Sequence, residues 1–324
     1  ARLGNPDAAA LVIGPAGEKM VRFAVVENDY WRSAGRSGLG AVLGSKKIKG
    51  VTFFGRQPRP VADPGAIKAY AKEMLANFKD HKGTQTYRDF GTPVMVSVLN
   101  KAGGFPTRYW SRGSYEGWTR INAETLLDRC KARPKACRAC FMGCGKFAEV
   151  QEGRHKGLKL EGPEYETIYS FGGLCCIDDL NEIIYFNDLC DRLGMDTITS
   201  GNLVAFAIEA SKRGKIDAVY DYGDPDLVAD LLHKIAKREG IGDLLAEGIK
   251  PASAEWGLED IAVHVKGMEP AGYDPRRLRG APALHGGDTP GGDGWQHRRL
   301  RAGAGERGLY GIPVRQLCPD GCRI

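Results

Sequence analysis

The spacing of hydrophobic and polar positions changes once along the chain. Short β-rich apolar runs come first, at residues 11–13, 21–26 and 51–54, separated by the turn signal Gly14-Pro15-Ala16-Gly17 and closed by Gly55. From Pro64 onward the period is helical. Over residues 66–78 apolar side chains fall at Ile67, Tyr70, Ala71, Met74, Leu75 and Phe78, intervals that place them on one helix face. The same spacing predicts helices over 123–131, 180–193, 200–213 and 227–239. The fold class predicted is therefore mainly α-helical with a β-rich N-terminal portion. The boundary falls near residues 55–64, where QPRPVADP carries three prolines in eight residues.

Composition narrows the function classes. With 324 residues and 42% hydrophobic content the chain can bury a substantial core, in two domains or one large domain with a neighbour. A net charge of +6, with no basic block interleaved with aromatics, gives nucleic-acid binding little support. No apolar run approaches the roughly 20 residues needed to span a bilayer, and no signal-peptide pattern opens the chain, so a cytoplasmic setting is the default. The first residue is Ala rather than Met, and the strand-like runs begin with nothing before them to pair with, which reads as a chain cut at the front.

The strongest chemical signal is CRACFMGC, residues 137–144. Cys137, Cys140 and Cys144, spaced Cys-x-x-Cys-x-x-x-Cys, bring three soft thiolates to one metal centre, as iron-sulfur clusters and zinc prefer. Nine cysteines, an odd number clustered in this way, fit metal ligation in a reducing compartment better than disulfides. Either metal needs a fourth ligand from elsewhere. The plainer alternative is three reduced, half-buried thiols.

Other stretches carry weaker signals. AGRSGLGAVLGSKKIKG, residues 34–50, has five glycines with Arg32, Arg36, Lys46 and Lys47 in or beside it; it suits either an anionic ligand or a packed turn with solvated lysines. EGPEYETI, residues 161–168, has three carboxylates that serve either a helix start or a general base in a low-dielectric pocket. DRLGMD, residues 191–196, reads as a helix C-cap at Gly194. Of the adjacent Cys175 and Cys176, one at most faces a site, while Cys130 and Cys190 belong to the core.

Taken together, AGRSGLGAVLGSKKIKG, CRACFMGCGKF, EGPEYETIYSFGG, NDLCDRLGMDTITSGN and VKGMEPAGYDPR occur in an order and spacing that resembles the tungsten-containing aldehyde ferredoxin oxidoreductase family. The resemblance spans about residues 11–280. It implies the fold of that family's domains 2 and 3, preceded by a β remnant of its pterin-binding domain. The division implied is 1–58 for that remnant, 59–268 for the helical domain, and 269–324 for the start of a third domain with an atypical tail.

The implied cofactors are a tungsten (or molybdenum) bis-pterin, a 4Fe-4S cluster and a Mg2+ ion bridging the pterin phosphates. By the resemblance, Cys137, Cys140 and Cys144 hold the cluster; Asp191, Gly194 and Asp196 contact pterin, with Met195 in place of the family's Leu; and Arg32, Ser33 and Arg36 approach the cofactor phosphates. Tyr165 and Glu166 match the family's tyrosine-glutamate pair beside the metal, making them the catalytic candidates. Cys175 is a candidate beside tungsten, as in some aryl-CoA relatives. The implied reaction is oxidation of an aldehyde to a carboxylic acid, with electrons passing to ferredoxin or an electron-transfer subunit, in an oligomeric enzyme of an anaerobic cytoplasm.

Two other readings remain open on the sequence. One is an aryl-CoA (benzoyl-CoA type) reductase of the same family, kept open by Cys175 and by RYWSRGSYEGW at residues 108–118. The other is a non-catalytic zinc module with His155 or Cys130 as fourth ligand. The resemblance also has departures. A fourth cluster cysteine is expected farther downstream than this chain extends, and Cys318 and Cys322 lie outside the expected motif. After Gly280 only TPGGD, residues 289–293, fits the pattern, which points to a truncated or frame-shifted end and a site open to water.

Overall fold

The computed structural model describes residues 8–277, apart from 56, 58 and 59. Strands β1 (Ala9–Ile13), β2 (Val26–Asn28), β3 (Arg32–Ala34) and β4 (Gly50–Phe53) form one antiparallel sheet in the order β3-β2-β1-β4, with Ile13 opposite Val26 and Leu11 opposite Val51. Two short helices sit among them, α1 (Pro15–Glu18) and α2 (Leu39–Ser45).

Two expectations are corrected here. Residues 21–25 form only a single bridge, Ala24 with Met195, and no strand: although Val21, Phe23, Ala24 and Val25 are all buried, their backbone bonds go to the α1 turn, to residues 194–196, to Gly40 and to Ala246. The glycine-rich stretch is not one packed turn either, because it runs from the end of β3 through α2 to the first residue of β4. Its glycines serve packing: a Cβ at Gly40 would meet the Val25 carbonyl at 2.4 Å, and one at Gly44 the Gly17 carbonyl at 1.8 Å.

The helical part follows the apolar spacing closely. It comprises α3 (Pro64–Phe78), α4 (Lys82–Phe90), α5 (Val94–Ala102) and α6 (Ala123–Arg129), then a three-stranded antiparallel sheet of β5 (Arg133–Lys135), β6 (Gly145–Glu149) and β7 (Lys159–Glu161). Helix α7 (Tyr165–Thr167) runs into a π-turn over Ile168–Leu174, followed by α8 (Leu180–Leu193), α9 (Thr197–Lys212), α10 (Pro225–Lys237), α11 (Ile241–Ala246) and α12 (Ile249–Trp256). Caps set the starts. Asp63, Asn122, Asp179, Asp196 and Asp224 each accept a backbone N–H in the first turn of the helix that follows. Asp196 is the reason α9 begins three residues before the apolar spacing alone indicates.

The core gathers around α9, which is buried on nearly every face and packs against the π-turn, α8 and α10. Cys130 and Cys190 lie in it, fully buried, as their positions on apolar faces predict. Helix α3 departs from expectation: it forms over the predicted residues but buries none of them, leaving Ile67 59% and Tyr70 63% exposed. Beyond α12 the chain returns to the centre, where Tyr169 Oη donates to the Pro270 carbonyl at 2.8 Å and Asp274 N–H to the Gly104 carbonyl at 3.0 Å. Cys318, Cys322 and residues 289–293 lie outside the described residues.

Candidate active site and cluster loop

The cysteine triple occupies the connection between β5 and β6. Cys140 N–H donates to the Cys137 carbonyl at 3.0 Å, and positive φ at Ala139 (59°) and Gly143 (63°) wraps the loop tightly. Cys137 and Cys140 are exposed and Cys144 is half-buried. Burial pushes the Cys144 thiol up, with Glu164, Cys137 and Cys140 adding to the effect. Among the described residues no three Cys, His, Asp or Glu side chains already converge as they would about a single ion. The donor set nevertheless suits an iron-sulfur cluster, being three thiols on one exposed wrap.

The loop is fastened from behind. Arg88 Nη2 donates to the Phe141 carbonyl at 3.1 Å, while the buried Lys146 Nζ donates to the Arg88 carbonyl at 2.8 Å. The proposed zinc ligands are engaged elsewhere. His155 stacks on Tyr185 with centroids 4.1 Å apart and lies 3.1 Å from Glu182, and Cys130 is sealed in the core with its thiol toward Asn181.

The second constellation centres on Arg36. Its Nε donates to Asp196 Oδ2 at 3.1 Å and its Nη2 to Thr199 Oγ1 at 3.3 Å, with Glu269 Oε2 3.6 Å from the same nitrogen. Asp196 also accepts from the N–H groups of Ile198 and Thr199 at the start of α9. Thr199 Oγ1 in turn donates to Glu269 Oε2 at 2.8 Å. Nη1 of Arg36 has no protein acceptor among the described residues.

Glu166 belongs to the same electrostatic neighbourhood. Desolvation raises its pKa to about 7, against the pull of the Gly272 N–H and of Arg36 and with a smaller push from Asp196. Its Oε2 accepts the Gly272 N–H at 3.0 Å, and Oε1 has no hydrogen-bond partner among the described residues. Tyr165 is buried, donates its hydroxyl to the Gly272 carbonyl, and is held well above the usual tyrosine range by desolvation. One residue, Gly272, thus fixes both members of the pair.

Asp191 and Asp196 flank Gly194 but face different surroundings. Asp191 lines a cleft of about 850 Å³ together with Glu27, Tyr30, Trp31 and Lys49. Asn187 Nδ2 donates to it at 3.0 Å, and desolvation followed by Asp188 raises its pKa to about 7. Desolvation followed by Asp191 lifts Glu27 to about 8. Gly194 ends α8 with φ +76°, and a Cβ there would stand 2.7 Å from Gly14 N, so this turn seats directly on the β1–α1 connection.

The remaining predicted residues lie apart from the Arg36 group. Arg32 is ion-paired with Glu161, Ser33 sits on exposed β3 opposite Glu27, and Cys175 is fully buried with its thiol 3.5 Å from the Ser170 carbonyl and 3.4 Å from that of Gly201. Sequence reasoning missed Thr199, Glu269 and Gly272. The last two stand inside VKGMEPAGYDPR, but their contacts depend on a return of the chain across 70 residues for Glu269 with Thr199 and 106 for Gly272 with Glu166, which spacing does not show. The segment RYWSRGSYEGW was singled out in the sequence, but not its backbone: Arg108, Tyr109 and Trp110 are three consecutive residues at φ +48°, +41° and +63°, with Trp110 Nε1 donating to Asn202 Oδ1 at 2.8 Å.

The family description "Aldehyde ferredoxin oxidoreductase, domains 2 & 3" matches residues 69–304, and the corresponding N-terminal domain description matches residues 1–55. The chain belongs to the aldehyde ferredoxin oxidoreductase family. It is 35% identical over 286 residues to the tungsten-containing aldehyde ferredoxin oxidoreductase of Pyrococcus furiosus, covering 86% of this chain and 47% of that protein. A second similar protein of Pyrococcus furiosus, described as an aliphatic sulfonate oxidoreductase, WOR-like subunit, is 33% identical over 280 residues, with 82% and 44% coverage. The chain thus spans about half the length of the curated relatives it matches. Among solved structures, the active site complex BamBC of benzoyl coenzyme A reductase superposes with a TM-score of 0.66 at 24% identity, covering 84% of this chain and 43% of that one, a likeness of fold. No helix among the described residues is long and apolar enough to cross a membrane.

Proposed function

We propose that this aldehyde ferredoxin oxidoreductase family chain carries part of the active site of a tungsten-pterin enzyme that oxidises aldehydes to carboxylic acids in an anaerobic cytoplasm. The observation that carries the reading is Glu166: a carboxyl poised near pH 7 by burial, with one oxygen fixed on Gly272 and the other without a hydrogen-bond partner among the described residues, beside the Arg36 group. A general base is most effective when its pKa lies close to the working pH.

The residues fit the implied cofactors. Arg36, anchored through Nε and Nη2 with Nη1 unengaged among the described residues, suits a phosphate oxygen of the pterin, and Asp191 and Glu27 in the 850 Å³ cleft suit the polar edge of a heterocycle. Cys137, Cys140 and Cys144 would hold three corners of a 4Fe-4S cluster. When bound, the tungsten centre supplies the two-electron redox chemistry and the cluster passes single electrons to a ferredoxin-type acceptor.

The protein's part is positional and protonic. Aldehyde and water give the acid, two electrons and two protons, so a base must take a proton from the adding water; Glu166 Oε1, without a hydrogen-bond partner among the described residues, suits that role. Tyr165, buried and locked through its hydroxyl to the Gly272 carbonyl, steadies the residue whose N–H holds Glu166. Arg36 orients an anionic group by its fixed guanidinium.

The second reading, reduction of an aryl-CoA, depends on Cys175 reaching the metal; a thiol directed at the Ser170 and Gly201 carbonyls supports it less well. An anaerobic assay of the purified protein with aldehydes and a viologen acceptor, beside benzoyl-CoA with a low-potential donor, separates the two. Aldehyde-dependent acceptor reduction that is lost in Glu166→Gln is the expected result.

A further inference from the structure

Glu269 has the least satisfied carboxylate in the Arg36 group. Only 2% of it is exposed, Oε2 accepts from Thr199 at 2.8 Å and stands 3.6 Å from Arg36 Nη2, and Oε1 has no partner among the described residues. Asp196, by contrast, accepts from Arg36 and from two backbone N–H groups at the start of α9. The two carboxylates beside Arg36 are therefore unequal. An ionised oxygen without a donor is expensive in so dry a place, whereas one paired with the guanidinium charge is tolerated.

We infer that Glu269 is the exchangeable counter-ion of Arg36: ionised when no anion occupies the guanidinium, and taking up a proton when a phosphate-class oxyanion binds at Arg36 Nη1. The inference rests on the reading of Arg36 as the phosphate-facing residue, and it adds Glu269 as the residue that positions and neutralises it. The charge count explains why. Arg36 with two carboxylates already carries a net charge of −1, and a bound dianion would make it −3 in a site with little water to screen it. Protonation of Glu269 removes one charge and gives Oε1 a hydrogen to donate. The ionisable groups acting on this carboxyl are Arg36, Asp196 and Tyr109, and the Arg36–Asp196 pair in turn faces Glu166 and Tyr169.

The site's pH response follows from the same groups. Desolvation already brings Glu269 to about 7, so a bound anion, by raising it further, drives proton uptake above that pH and little below it. Glu166 is the competing proton acceptor, also at about 7, and the test must separate them.

The experiment is calorimetric titration of the full 324-residue chain with sulfate, a tetrahedral dianion that does not itself titrate between pH 6 and 9, in pairs of buffers with different ionisation enthalpies. Uptake of about half a proton per sulfate at pH 7.5 is expected, with affinity falling about fivefold between pH 7 and 8.5. Glu269→Gln, an isostere of the protonated form, should bind sulfate with no uptake and no pH dependence, while Glu166→Gln should keep both. Uptake that persists in Glu269→Gln, or disappears in Glu166→Gln, overturns the inference while leaving Arg36 as the anion contact. No sulfate binding that depends on Arg36 overturns the Arg36 reading and the inference with it. Should Glu269→Gln not fold, the Glu166→Gln result alone decides, since loss of uptake there assigns the proton to Glu166.

Discussion

Arg36 and Asp196 are separated by 160 positions in the chain and by 3.1 Å in the fold. The pair joins the segment between β3 and α2 to the first turn of α9, and Asp196 performs two tasks at once, capping the helix and holding the guanidinium. Removing Arg36 would leave Asp196 and Glu269, both largely buried, facing each other without a cation. Arg36→Ala should therefore destabilise the chain by about 1–3 kcal/mol, a figure reduced from the fully buried case because the arginine is 26% exposed. Urea unfolding checks it. Tungsten content should fall by a larger factor than folded fraction, because the same side chain is the proposed phosphate contact.

Gly194 makes a sharper stability prediction. Its positive φ and the 2.7 Å approach of a built Cβ to Gly14 N leave no room for a side chain, and the obstacle is backbone on both sides. Gly194→Ala should cost about 2–4 kcal/mol, with loss of helical signal at a lower urea concentration than in the wild type.

Burial of Glu166 has a pH signature. Its folded pKa of about 7 stands above an unfolded value of 4.5, so its contribution to stability is fully present below 4.5 and is lost as pH rises through 7. Between pH 5 and 8.5 the wild type should lose on the order of 3 kcal/mol more than Glu166→Gln, read by urea unfolding of both at each pH. An equal pH dependence in the two would remove the desolvated carboxyl from the account.

Much of the helical fold was legible in the sequence, and the reasons are local. Residues 66–78 and 180–193 announce their helices by spacing, and Gly194 announces the end of the second. What spacing misjudged was burial and partnership. The face of α3 looks like a core face yet buries none of its residues, while residues 21–25 look like a strand yet make one bridge, Ala24 with Met195, and otherwise bond to turns and helix ends. At the site, DRLGMD was readable as a motif, but its two aspartates serve separate surroundings, one with Glu27 and one with Arg36. Glu269 and Gly272 enter only because the chain folds back after α12, a long-range event that no local pattern records.

The cysteines divide by role. Cys137→Ala, Cys140→Ala and Cys144→Ala should each lower iron and acid-labile sulfide in the protein with little change in unfolding midpoint, since the first two are exposed and the third is half-buried. Cys175→Ala should do the reverse, costing about 1 kcal/mol through the small cavity it leaves while iron and tungsten contents stay at wild-type levels. Loss of tungsten in Cys175→Ala would instead favour the aryl-CoA reading.

The most direct test is metal analysis of the anaerobically purified protein, with an ultraviolet-visible spectrum taken before and after dithionite. Tungsten or molybdenum together with about four irons per chain, and a broad absorption that bleaches on reduction, is the predicted result. Zinc alone, with neither iron nor pterin, would contradict the proposed chemistry.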